Sequence, residues 1–267
     1  MKRLISLSAC AVIFGAAIAP PVTAQINKLN SVVYGSRVST FPDDPNGGMP
    51  FRQTSGDHEI TVPQIAGAKL VVFSPSGSYF CAGSGSNAWL WTTQGQQIQA
   101  FPHPALISSV AFSPDGTYVL ITGGQRAKIW SVPSGSLLTE LEEDSYIRQA
   151  VISADGKTIC TITSNGFNLW NAKQGLKTLQ MAQPSPVTSV IFSPTGTQLL
   201  TLSGNNANLW KTADGSRIGS FAHTYPLRAA LFSPDGNYVL CMSDQWTHVW
   251  DAQKFLKLMD VPFANNQ

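Results

Sequence analysis

Five tryptophans, Trp91, Trp130, Trp170, Trp210 and Trp250, recur at intervals of 39, 40, 40 and 40 residues. A turn motif precedes each of them at the same spacing: Ser74-Pro75-Ser76-Gly77, Ser113-Pro114-Asp115-Gly116, Ser153-Ala154-Asp155-Gly156, Ser193-Pro194-Thr195-Gly196 and Ser233-Pro234-Asp235-Gly236. Two unrelated signals sharing one period define a repeat architecture. A unit of this length cannot bury its apolar surface alone and must stack on its neighbours. The chain is therefore restricted to an array of like units.

Residues 104–143 show what one unit folds into. The run Ile107 to Phe112 is apolar-rich and favours strand. In the turn that follows, proline presets φ, aspartate bonds local backbone and glycine accepts the left-handed conformation. A second strand is predicted from Tyr118 to Thr122, a turn at Gly123-Gly124-Gln125, a third strand from Ala127 to Ser131 and a fourth from Leu137 to Leu141. Four short strands joined by tight turns make an antiparallel meander of propeller-blade size. The three residues before each turn serine are apolar in all five repeats, as expected of strands covered on both faces by neighbouring blades.

This grammar resembles the WD-repeat β-propeller family over roughly residues 60–263, in a divergent, bacterial-type exported form. Only Trp250-Asp251 keeps the WD pair; Thr92, Ser131, Asn171 and Lys211 follow the other tryptophans. The Gly-His pair of the family is reduced to His103 and His223, each ten residues before its turn serine, with Gln64, Glu143 and Gln183 at the matching positions. The resemblance implies a His-Ser-Trp hydrogen-bond set completed by an aspartate, and Asp244 is placed to supply that aspartate once.

The expected fold is all-β: a propeller of four-stranded antiparallel blades, six in number, with five as the alternative. The last repeat owns an outer strand, Phe255 to Val261, so it needs no strand from the N-terminus. One period before blade 1, Phe51 stands opposite Trp91, and Ser31-Val32-Val33-Tyr34 opposite Leu70-Val71-Val72-Phe73. Residues 25–62 read as a degenerate N-terminal blade, with the loop Phe41 to Gly48 in place of its middle hairpin, or else as an irregular strap. Residues 63–267 carry the five repeats.

Residues 1–24 have the layout of an export signal: Lys2 and Arg3, an apolar stretch from Leu4 to Ala19, then Val22-Thr23-Ala24 as a small-residue cleavage site. Cys10 lies too early in that stretch for a lipid-acylation box. No other stretch reaches the roughly 18 apolar residues of a membrane span. The expected location is therefore periplasmic or secreted.

Removal of Lys2 and Arg3 takes the 17 basic residues to 15, against 15 acidic ones. A formally neutral domain has no electrostatic reason to bind nucleic acid or an anionic membrane. Cys81 and Cys160 fall seven residues after their turn serines, where Leu120, Leu200 and Leu240 stand in the other repeats. Like Cys241, they read as core residues in separate blades, and no disulfide is expected.

Enzymatic chemistry finds no constellation. His58, His103, His223 and His248 are scattered, and Asp115, Asp155 and Asp235 recur because the turns favour them. No phosphate loop, serine elbow or Cys-His pairing is present. No cofactor or metal is expected. The functional signal lies at the rim, where loops from outer to next first strand and from second to third strand share one face and differ most between repeats. That face is expected to display Arg126, Tyr146, Tyr225 and Trp246, together with Phe167, Glu142, Glu143 and Asp144. Aromatic residues with arginine anchor protein interfaces, and the expected partner is a protein or peptide.

Five residues before each turn serine stand Lys69, Ser108, Arg148, Thr188 and Arg228, polar in every case. At the start of the innermost strand they would line the channel mouth. The alternative function is therefore an anionic or carbohydrate ligand held there, unless Arg148 and Arg228 pair with rim acids such as Glu143 and Asp244. A propeller hydrolase or lyase is the third reading.

Overall fold

The computed structural model describes residues 49–52, 59–62, 68, 70–183 and 185–262; for the two N-terminal stretches it gives strand pairing alone. Residues 1–48, among them the expected export signal and most of the expected N-terminal blade, lie outside the described residues, as does Lys69.

Five four-stranded antiparallel sheets follow one another, each a meander in chain order. No helix interrupts the described residues. First strands are Leu70–Phe73, Ile107–Phe112, Gln149–Ile152, Ser189–Phe192 and Ala229–Phe232, and those of successive blades approach one another, which places them innermost. The tryptophans sit on the third strands Asn87–Thr92, Arg126–Ser131, Gly166–Asn171, Asn206–Lys211 and Trp246–Asp251. A β-bulge interrupts the pairing to the outer strand beside the tryptophan in all five blades, the kind of local kink that strengthens strand twist. The chain is an all-β propeller of four-stranded blades.

The turn serines are hubs of their turns, a role beyond those expected of proline, aspartate and glycine. The Ser113 hydroxyl donates to Asp115 Oδ1 at 2.6 Å and accepts the Tyr118 amide at 3.1 Å, while the Gly116 amide returns to the Ser113 carbonyl at 2.9 Å. Gly116 holds φ at 73°, and the same position in the other four repeats lies between 71° and 74°. A side chain in that left-handed region is strained.

The core lies between blades, not within one. Trp130 of blade 2 stacks on Phe101 of blade 1, ring centroids 4.7 Å apart, within a cluster that also holds Leu90 and Val110. Trp210 meets Phe167 of blade 3 at 5.6 Å, and Trp250 meets Phe221 of blade 4 at 5.7 Å. Cys81, Cys160 and Cys241 are free, fully buried thiols. Burial raises all three, Cys241 to about 12, so they are poor nucleophiles at neutral pH.

In blade 2 three strands run one residue longer than expected, to Gly123, from Arg126 and to Glu142, and in blade 5 two strand boundaries differ in substance. The last outer strand is Lys257–Pro262, because Phe255 adopts a positive φ of 56° in the turn before it. Trp246 opens its third strand rather than sitting in a loop, its amide held by the Ser243 hydroxyl at 3.1 Å.

Candidate interaction face

The connections from outer to first strand are fastened to the second-to-third-strand turns by backbone hydrogen bonds. The His103 amide donates to the Ser86 carbonyl and Ile107 to Gly85; Glu143 donates to Gln125 and Ile147 to Gly124; His223 donates to Asn205 and Leu227 to Gly204. The two loop sets therefore form one surface. His103 and His223 help to shape it: each offers Nδ1 to the amide two residues on, Ala105 at 3.2 Å and Tyr225 at 3.1 Å.

Tyr146, Tyr225 and Trp246 are exposed on this surface, at 56%, 37% and 36%. Arg126 is half-buried and paired with Glu140 at 3.1 Å and Glu142 at 2.8 Å. A cleft of about 320 Å³ opens at blade 5, lined by Tyr225, Pro226, Leu227, Arg228, Asp244 and Gln245. Arg228 grips Asp244 by donating from Nε to Oδ1 and from Nη2 to Oδ2, each at 2.7 Å, holding that carboxyl below its ordinary range. Asp244 thus binds arginine and does not complete a histidine set.

The predicted polar ring is engaged unevenly. Ser108 donates to the Thr122 carbonyl at 3.1 Å and Thr188 to that of Leu202 at 3.2 Å, so both hydroxyls fasten their own blades. Arg148 is exposed, and Arg228 is committed to Asp244.

Two residues expected on the rim are buried instead. Phe167, 1% exposed, faces the next blade, opposite Met181 in its own sheet. Glu143, 3% exposed, is the hub of a polar cluster. It accepts the Thr161 hydroxyl, Asn168 Nδ2 at 2.7 Å, Trp170 Nε1 at 3.2 Å and Lys177 Nζ at 3.0 Å. Trp170 also donates to Thr161 Oγ1 at 2.8 Å, and the Lys177 ammonium lies 4.8 Å from its ring centroid. Glu143 was legible in principle, since it shares its register with His103 and His223. Trp91, Trp130 and Trp250 have unpaired indole N–H groups, because Ala82, Ile121 and Cys241 stand where Thr161 and Thr201 serve the other two.

His223 stacks on His248, centroids 3.8 Å apart and planes 20° from parallel, and His248 Nε2 reaches Asp260 at 3.2 Å. Burial lowers both histidines, and His223 lowers His248 further, against the pull of Asp260; Lys257 also faces the pair and opposes their charging. His103 is lowered by burial too. A folded-state value below the unfolded one, about 6.5, means that the unfolded chain binds more protons across that window. Stability is complete above about pH 6.5 and declines as pH falls through the lowered folded-state values. The melting temperature should drop by a few degrees between about pH 7.5 and 5, and His248→Phe should flatten that decline. An unchanged slope in the variant would remove the stack as its cause.

Three segments of the chain match the family described as WD domain, G-beta repeat: residues 95–131, 175–211 and 215–251. Each runs from the turn before an outer strand through the first three strands of the next blade, so the sequence repeat straddles two sheets. These matches support a WD-repeat family and, with it, a protein-interaction scaffold. No curated protein matches the chain. Among the described residues no helix is long and apolar enough to cross a membrane.

Proposed function

We propose that this propeller is an exported, non-enzymatic platform that binds a protein or peptide at the blade-5 end of its loop face. The observation that carries the reading is the cleft between Tyr225 and the Arg228–Asp244 pair, with Trp246 exposed next to Gln245 in its lining. Aromatic side chains bring large contact area at low entropic cost, and a polar pair beside them fixes register. Because Arg228 is already neutralised by Asp244, the cleft favours a partner that meets both charges over a simple anion. Export rests on the layout of residues 1–24.

Affinity capture on the exported protein, followed by titration with the recovered partner, tests the reading. Tyr225→Ala with Trp246→Ala should weaken that partner by about 30-fold, the loss expected for truncating an interface anchor. Unchanged affinity in a folded double variant would move the site elsewhere. Intact mass tests export separately: the mature chain should begin at Gln25, and a mass retaining Cys10 with a lipid would overturn that part.

A further inference from the structure

Among the described residues, blade 5 ends the array with an uncovered apolar face. Blade 4 buries Ile191, Leu200, Leu202, Leu209 and Phe221 against blade 5, each at 7% exposure or less. One period on, Leu231, Leu240, Met242, Val249 and Val261 present the same apolar surface, yet all are half-buried or exposed, Val261 at 41%. The first strands of blades 5 and 1 make no approach like those between successive blades. The outer strand Lys257–Pro262 is exposed throughout, Leu258 and Met259 included. A free apolar face ending in a free strand edge is a pairing surface, which soluble proteins cover.

We propose that the N-terminal segment of this chain, residues 25–62, covers that face. It spans close to one repeat period. Its hairpin, Met49–Arg52 paired with Glu59–Val62, lies one period before the third and outer strands of blade 1, Asn87–Thr92 and Gln97–Pro102. The connection from Val62 to Leu70 is residues 63–69, about as long as the inter-blade connections 143–148, 183–188 and 223–228. The segment is therefore tethered before blade 1 as each blade is tethered before the next. Such a tether keeps it at an effective concentration in the millimolar range, which a second copy would rarely reach. Phe51 occupies the register of Trp91. In blades 2 and 5 the residue at that register rests on the phenylalanine of the preceding outer strand, Phe101 or Phe221, and Val261 is the blade-5 counterpart of those rings. Phe51 is thus assigned to pack against Val261.

Three measurements on the full chain test this. Val249→Asp should lower the melting temperature by about 5–10 °C, because a covered position cannot accept an unpaired charge. No change would mean that the face is bare and would overturn the proposal. Phe51→Ala and Val261→Ala should be non-additive, the double variant losing on the order of 3 °C less than the sum. Additive losses would overturn the assignment, and Phe51→Leu serves the same cycle should Phe51→Ala fail to fold. Sedimentation should show a monomer at all concentrations. A reversible dimer weakened by Val249→Asp would give the face to a second copy instead.

Discussion

Replacing Trp210 with Ala is expected to cost about 3–5 kcal/mol, a fall of roughly 10 °C in melting temperature for a domain of this size. Trp210 is 8% exposed, packs on Phe167 of the preceding blade and donates its indole N–H to Thr201 Oγ1 at 2.9 Å. Alanine would leave a cavity at the inter-blade seam and strip Thr201 of its partner. The loss is a large part of the 5–15 kcal/mol that holds a typical domain together. Trp246→Ala is the matched control, since that ring is 36% exposed and its strand is held through the Ser243 hydroxyl and backbone. Its loss should stay within about 0.5 kcal/mol. Thermal unfolding of the two variants decides the matter. Equal losses would mean that the periodic tryptophans are not the seam of the array.

That contrast marks how far the chain is readable without coordinates. The turn serines and the tryptophans were legible because each owes its place to a local rule repeated five times. Ser113 needs only residues within five positions of itself to build its turn. What was not legible depends on a neighbouring sheet. Phe167 looks like a loop aromatic when counted from its hairpin, yet it faces blade 4. In blade 1 the equivalent cross-strand pair is Ala88 with Phe101, and in blade 4 Ala207 with Phe221. In blade 3 the pair is Phe167 with Met181, so the ring has moved to the other strand of the same pair and still fills the seam. A single strand, read alone, does not reveal that exchange.

The interaction face shows the same division. Tyr146 and Tyr225 were legible as exposed because the loops between strands must run over the surface, and Trp246, exposed too, instead opens a strand. The Arg228–Asp244 grip was legible as the alternative to a free cationic ring, and the structure takes that alternative at Arg228, while Arg148 does not meet Glu143, which is buried among blade-3 donors. Likewise the acid that meets the blade-5 histidine pair is Asp260 on the outer strand, where it reaches His248 rather than His223.

Glu143 yields the other large effect. Its carboxylate, with a side chain 1% exposed, takes hydrogen bonds from Thr161, Asn168, Trp170 and Lys177, all within blade 3. Glu143→Ala removes the acceptor of four donors at once and strands the Lys177 ammonium over the Trp170 ring, so a loss of about 3–5 kcal/mol is expected. Lys177→Met should cost less, because the carboxylate keeps its three other donors, whereas the ammonium, with its side chain 24% exposed, was already partly in water. Blade 4 supplies an internal comparison. Gln183 stands at the Glu143 register there, with Thr201, Asn208 and Trp210 in place of Thr161, Asn168 and Trp170, and Arg217 turned away to Ser220. Glu143→Gln would rebuild in blade 3 the residue set that blade 4 already tolerates, and its cost should be near 1 kcal/mol. The expected order of melting temperatures is wild type, Glu143→Gln, then Glu143→Ala. If glutamine proved as damaging as alanine, the charge itself would be what blade 3 requires. If both were silent, the cluster would contribute nothing to holding the blade.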